Sequence, residues 1–253
     1  FCPAASVCFK RQELNRLFLS PLAWVILALS QLLLAYLFLT HMDYFNSIQS
    51  RISAIPGAPG VTELVAMPLL SNAAIIALLI SPLLTMRSFA EERRNETLPL
   101  LSSAPLSMFD IVIGKFFGTL TFFLIMASLT VLMICSLAVG TTLDFYQLSA
   151  GVIGLILLVA SFSAVGIYMS SLTRQPTIAA ISTFAILFLF WIIDWASHST
   201  TEFSLLSWLS LLKHFEPMMQ GQINTQDISY FALIIFAFLL LTVRRLDRER
   251  LDQ

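Results

Sequence analysis

Charge is what this sequence has least of. Only 11% of its residues are Asp, Glu, Lys or Arg, against about 25% in an ordinary soluble domain. The 14 basic and 15 acidic residues leave a net charge of −1. No field exists for a polyanion, which excludes a nucleic-acid binder. Cysteine is scarce too. Cys2, Cys8 and Cys135 fit no zinc or CxxC spacing and build no disulfide framework. The three histidines, His41, His198 and His214, fall in stretches unrelated in sequence and show no ligand spacing, so no metal is expected. A phosphate loop is missing: after Gly114-Lys115 stands Phe116 instead of Ser or Thr, and Phe109 occupies the place of the first Gly. No G-x-S-x-G occurs either. The chain therefore carries neither a nucleotide site nor a hydrolase arrangement of its own.

What is there is apolar: 58% of the 253 residues are hydrophobic, and the mean hydropathy is +0.86. Stretches free of Asp, Glu, Lys, Arg and His run over Leu17–Thr40, Leu64–Met86, Phe116–Leu143, Phe145–Thr173, Gln175–Ile193 and Ile228–Val243. All but the last exceed the length that crosses about 30 Å of hydrocarbon as a helix. The last is short, but Asp227 and Arg244 flank it and can snorkel. We expect one transmembrane domain over 1–253, with spans near 21–40, 67–87, 112–140, 149–172, 177–196 and 228–244. Such spans leave no room for a soluble catalytic domain. The chain opens on Phe1 rather than Met, so an earlier start is expected, and no cleavable signal peptide is recognised before the first run.

An even number of spans puts both termini on one side. That side carries Lys10, Arg11, Arg16, Arg87, Arg93, Arg94, Lys115, Arg174, Arg244, Arg245, Arg248 and Arg250; the other carries only Arg51 and Lys213. The positive-inside rule makes the termini cytoplasmic. A multi-pass protein of the inner membrane is expected.

Four segments lie between or before the runs. In 7–19, Val7, Leu14, Leu17 and Phe18 recur at helical spacing, while Lys10, Arg11, Glu13 and Arg16 fill the other positions. This reads as an amphipathic helix resting in the lipid interface. Ser20-Pro21 then turns the chain inward. Between spans two and three, Ser88-Phe-Ala-Glu91 reads as a capping box that starts a helix, which Pro99 ends. Arg87 to Glu96 carries three charges of each sign. A solvated loop and a peg docked into a partner are both open readings. On the outer side, Phe203–Leu212 is too short to span and suggests an interfacial or re-entrant helix. The fourth segment, Arg51–Glu63, contains the turn Pro56-Gly-Ala-Pro-Gly60.

Ionisable groups are absent from all six runs. Pumps and secondary transporters keep such groups at mid-membrane for use, at a cost of roughly 2.5–3.5 kcal/mol each. Energy for transport must then enter through another subunit, which favours the docking reading. Asp194, beside Trp191 and Trp195, reads either as an interface-belt residue or as an outer gating contact with His214 and Phe215. Gln31 and Asn72 read as interhelical hydrogen-bonding groups.

Three stretches carry a family resemblance: Phe9-Lys-Arg-Gln-Glu13 with Phe18-Leu-Ser-Pro21; Arg87-Ser-Phe-Ala-Glu-Glu-Arg-Arg-Asn-Glu-Thr97 through Leu100–Ser107 and Ile111-Val-Ile-Gly-Lys115; and Lys213-His-Phe215 with Gly221 and Asp227–Tyr230. Over essentially the whole chain the sequence resembles the permease subunit of ABC transporters of the type-2 exporter family, in particular its gliding-motility-type branch. The resemblance implies two paired permease chains above two cytoplasmic P-loop ATPase subunits. ATP and Mg would be bound there, and none in this chain. It assigns an interface helix with Lys10, Arg11, Glu13 and Arg16, and a coupling helix with Glu91, Glu92, Arg93, Arg94 and Glu96 facing the ATPase. Gly114 and Gly118 form a G-x-x-x-G that either allows close helix approach or is ordinary for a span. Pro99 and the short sixth run depart from the family pattern.

The expected fold is an all-α membrane protein with six transmembrane helices. To these are added an N-terminal amphipathic interface helix, a cytoplasmic coupling helix and a short outer helix before span six. The expected function is the permease of an ATP-binding-cassette exporter, non-enzymatic itself. The competing reading is a membrane anchor that passes ATPase motion to an outer partner without transport. A stand-alone channel or lipid-modifying enzyme fits poorly, for want of acid, base and metal residues.

Overall fold

The structure, a computed structural model, describes residues 21–52, 60–95, 108–139, 141, 143–197 and 210–251, without the side chains of 50–52, 139, 194–197 and 251. Every element among them is helical. Helix α1 is Pro21–Ile52; a π-helical turn, Thr62–Ala66, leads into α2, Met67–Thr85. A short α3, Ala90–Arg94, precedes α4, Met108–Cys135, which ends in a 3-10 turn, Ser136–Val139. Then come α5, Phe145–Leu172, α6, Pro176–Ser197, the short α7, Leu211–Met219, and α8, Thr225–Leu251. Six helices are long and apolar enough to cross a membrane. The protein is a six-span, all-α membrane protein.

Helices α1, α4, α6 and α8 outrun their uncharged stretches, α1 and α8 furthest. Helix α1 has 32 residues, or about 48 Å at 1.5 Å per residue. It continues through His41 and Asp43 because a charge ends burial in hydrocarbon, not helicity. Helix α8 has 27 residues and extends past Arg244 for the same reason, so the short sixth run sits inside a long helix.

Helix α5 is the axle of the bundle. It packs against α2, α4, α6, α7 and α8. Small residues permit this: Ala160, Ser161, Ser163 and Ala164 are buried along it, and glycines sit where neighbours come closest. A Cβ at Gly166 would lie 2.2 Å from Thr85 Oγ1, and one at Gly154 would lie 3.0 Å from Met218 Cβ. Buried hydroxyls turn back onto their own helix, as Ser163 donates to Val159 O at 2.9 Å and Thr85 to Ser81 O at 2.8 Å. Hydrocarbon offers no other partner.

Helix α1 lies outside this core, against α2 and α4. Two interhelical hydrogen bonds fix it, from the polar residues singled out above. Gln31 Nε2 donates to Met126 O at 2.9 Å, and the Asn72 amide lies 3.1 Å from His41 Nε2. Trp24, Leu29, Leu32 and Tyr36 on its other face remain exposed, as do Ile181, Phe188 and Leu189 on α6.

The basic residues Arg87, Arg93, Arg94, Lys115, Arg174 and Arg244 to Arg250 mark one end of the bundle. Helix α7 and the start of α8 lie at the far end.

Candidate functional site

At the basic end the chain turns from α2 into α3. The turn has lost the intrahelical partners of its N–H groups, and something must accept from them. The capping box expected at Ser88–Glu91 is not formed. Phe89 occupies the N-cap position and no side chain of α3 caps it. The acceptor instead comes from α5. Phe89 N–H and Ala90 N–H donate to Ser170 Oγ at 3.0 and 3.1 Å, and that hydroxyl donates to Met86 O at 3.1 Å. One serine, with one donor and two acceptor sites, thereby stitches the turn to the axle helix. Local pattern reading missed it because the cap is 80 residues away in sequence.

Two ion pairs then fix α3. Lys115 Nζ of α4 donates to Glu92 Oε1 at 2.7 Å, with side-chain exposures of 3% and 7%. The same ammonium lies 5.0 Å from the centroid of the Phe89 ring, within cation–π reach. Two charges so deeply withdrawn from water are held by each other, and losing either strands its partner. Arg93 NH2 donates to Glu249 Oε2 at 2.5 Å, and Arg245 Nε lies 3.2 Å from Glu249 Oε1, one turn earlier on α8. Beneath these pairs Phe89, Ile111, Phe116, Ile167 and Leu246 form one apolar cluster drawn from four segments.

The five charged residues named for this loop therefore divide. Glu92 and Arg93 are turned into the protein. Arg94 is exposed and Glu91 half-exposed. Glu96 lies outside the described residues, as do Lys10, Arg11, Glu13 and Arg16 of the expected interface helix. Helix α3 stops at Arg94, with Asn95 as its C-cap, before Pro99 is reached. Gly114 and Gly118 are both buried in α4.

The far end holds a second polar cluster. Helix α7 starts at Leu211, where Ser210 Oγ accepts from Lys213 N–H at 3.4 Å. Helix α7 carries Lys213, His214 and Glu216; the expected outer helix, Phe203–Leu212, falls for the most part outside the described residues. His214 Nδ1 is 2.6 Å from Asp227 Oδ1, both buried, and the imidazole stacks on Tyr230 at 4.0 Å. Phe215 is buried against α5 beside Gly154. Gly221, at φ +84°, ends α7. In that left-handed cap Gly221 N–H donates to Met218 O and Gln222 N–H to Pro217 O. Asp194 is in α6, but its side chain lies outside the described ones, and so does His198. His214 and Phe215, neighbours in sequence, turn to different helices, His214 to α8 and Phe215 to α5; no contact of Asp194 with them is described.

A model of the ABC-2 family transporter proteins matches residues 41–244, from within α1 to within α8 and through both polar clusters. The chain belongs to the ABC-2 transporter family. A search of curated proteins finds no relative. The ABC-2 family is one of membrane permeases and is not itself catalytic. In this ABC-2 permease the matched stretch includes α3, Lys115 and Ser170, but stops short of Arg245 and Glu249.

Three residues of the site were missed in the sequence: Lys115, Ser170 and Glu249. Lys115 had a signal. It is a lone cation between Ile111, Val112, Phe116 and Phe117, where burial demands an anion. Ser170 and Glu249 had none, since a serine in a span and an acid in a charged tail are commonplace.

Proposed function

We propose that this permease works in an exporter powered by a separate cytoplasmic P-loop ATPase, with α3 as the coupling helix that receives the ATPase's motion. The basic end is the cytoplasmic one, as the positive-inside rule requires, in the inner membrane. ATP and Mg bind the partner, and a second permease chain completes the path. The motifs resemble the gliding-motility-type branch in particular. The observation that carries this reading is the fastening of α3: a five-residue helix held from within by Ser170, Lys115 and Glu249, with Arg94 turned outward. A peg anchored this way passes force into α4, α5 and α8 without melting. Its opposite charges can select one register in a groove.

Purification of the chain from its native membrane is expected to bring an ATPase with it. Glu91→Lys with Arg94→Glu is expected to abolish that association and any stimulation of ATP hydrolysis. Survival of both overturns the assignment. Glu92 is unsuitable for this test, because its charge is used inside the protein.

A further inference from the structure

Helix α8 is anchored at both ends by ionised or ionisable side chains. At its far end Asp227 meets His214 of α7 at 2.6 Å. At its basic end Glu249 meets Arg93 of α3. The two acids are 22 residues apart, which is about 33 Å along a helix and about 40° around it. They lie on nearly one face. That face carries buried Phe231 and Ile234 and half-buried Phe238, and Phe238 meets Tyr168 of α5 edge-on at 5.6 Å. A helix gripped on one face at both ends resists rotation about its axis, and a continuous helix does not shorten.

We propose that α8 is a strut, with Glu249 and Arg245 positioning residues at its foot, which carries displacement of α3 to α7 on the opposite side of the membrane. The inference rests on α3 being the coupling helix. It adds a route that the family match does not include, because Arg245 and Glu249 lie beyond the matched residues. Two fasteners of α3 belong to elements that reach α7: Ser170 lies on α5, whose Gln147 Nε2 donates to Met219 O at 3.2 Å, and Glu249 lies on α8, which alone of the two meets α3 and α7 through charged or ionisable pairs. Ser170 and Lys115 fix the height and tilt of α3, whereas the Arg93–Glu249 pair links it to the outer segment. Arg245, one turn from Glu249, holds the carboxylate from the other side and aims it at Arg93.

The test uses the permease–ATPase complex in lipid nanodiscs, in a chain with Cys2, Cys8 and Cys135 replaced by Ser and a reporter at Gln220→Cys. Gln220 is exposed at the end of α7. ATP with Mg is expected to change the maleimide labelling rate of the reporter by about fivefold or more. Glu249→Arg is expected to erase that change while the ATPase still co-purifies, and Glu249→Gln to reduce it. Arg93→Glu with Glu249→Arg and Arg245→Glu restores the arrangement with reversed signs, and is expected to restore the response. The strut is overturned if the response survives Glu249→Arg and Glu249→Gln in intact complexes. It is also overturned if the swap fails to restore the response, or if the unaltered chain shows none. Failure of any ATPase to co-purify with the unaltered chain overturns the coupling reading itself, a separate result.

Discussion

Lys115 shows how one residue holds a site together. It is a cation inside the first turns of a span, and it is tolerated because Glu92 and the Phe89 ring replace its water. Lys115→Met should strand the Glu92 carboxylate and lower stability by about 3–5 kcal/mol. Replacing both, as Glu92→Leu with Lys115→Met, should recover most of that loss, because the desolvation cost vanishes with the charges. Thermal unfolding in detergent measures both, and the pair's burial makes the effect insensitive to salt. Ser170 offers a second test at this scale. Ser170→Ala leaves the Phe89 and Ala90 N–H groups without their acceptor and should cost about 1–3 kcal/mol. Ser88→Ala, at the serine that the local pattern marks as the cap, should change stability by no more than about 0.5 kcal/mol. A larger loss at Ser88 than at Ser170 contradicts the observed capping.

Among the elements, α5 decides the packing. Its glycines leave room for side chains of α2 and α7 against its backbone, and a Cβ at Gly166 would fall 2.2 Å from Thr85 Oγ1. Gly166→Ala drives a methyl into Thr85, and the helices must part. A loss of about 1–3 kcal/mol is expected, partly offset by adding Thr85→Ala, which removes Oγ1 and Cγ2 from the clash. Additive losses in the double variant would show that the two residues do not meet. Gly114 and Gly118 of the G-x-x-x-G are buried in α4, while the close approaches at Gly154 and Gly166 carry no such spacing. Spacing along one helix cannot reveal which side a neighbour takes. The same limit applies to α3, whose start was read one residue early and from the wrong serine.

At the scale of the whole molecule, topology is the testable property. Fusions at the C-terminus should give fluorescent green protein and inactive alkaline phosphatase, because the proposed orientation puts the basic end in the cytoplasm. Active phosphatase there would invert the orientation and, with it, the place of α3. Exposed apolar faces on α1 and α6 fit lipid or a second permease chain. The six spans were legible because charge is so rare that each uncharged run stands out. The full helix lengths were not, since helicity continues beyond the hydrocarbon limit that the runs record.

The sequence by itself determined the class: six apolar helices, with the basic charge gathered at one end. These are properties of composition along one dimension, and burial in a membrane enforces them residue by residue. Only the tertiary structure decided which charges of the loop face outward and which are consumed inside. Glu92 and Arg93 are indistinguishable from Glu91 and Arg94 in the sequence. Their roles separate because Lys115, 23 residues away, and Glu249, 156 residues away, arrive beside them when α4 and α8 pack against α5.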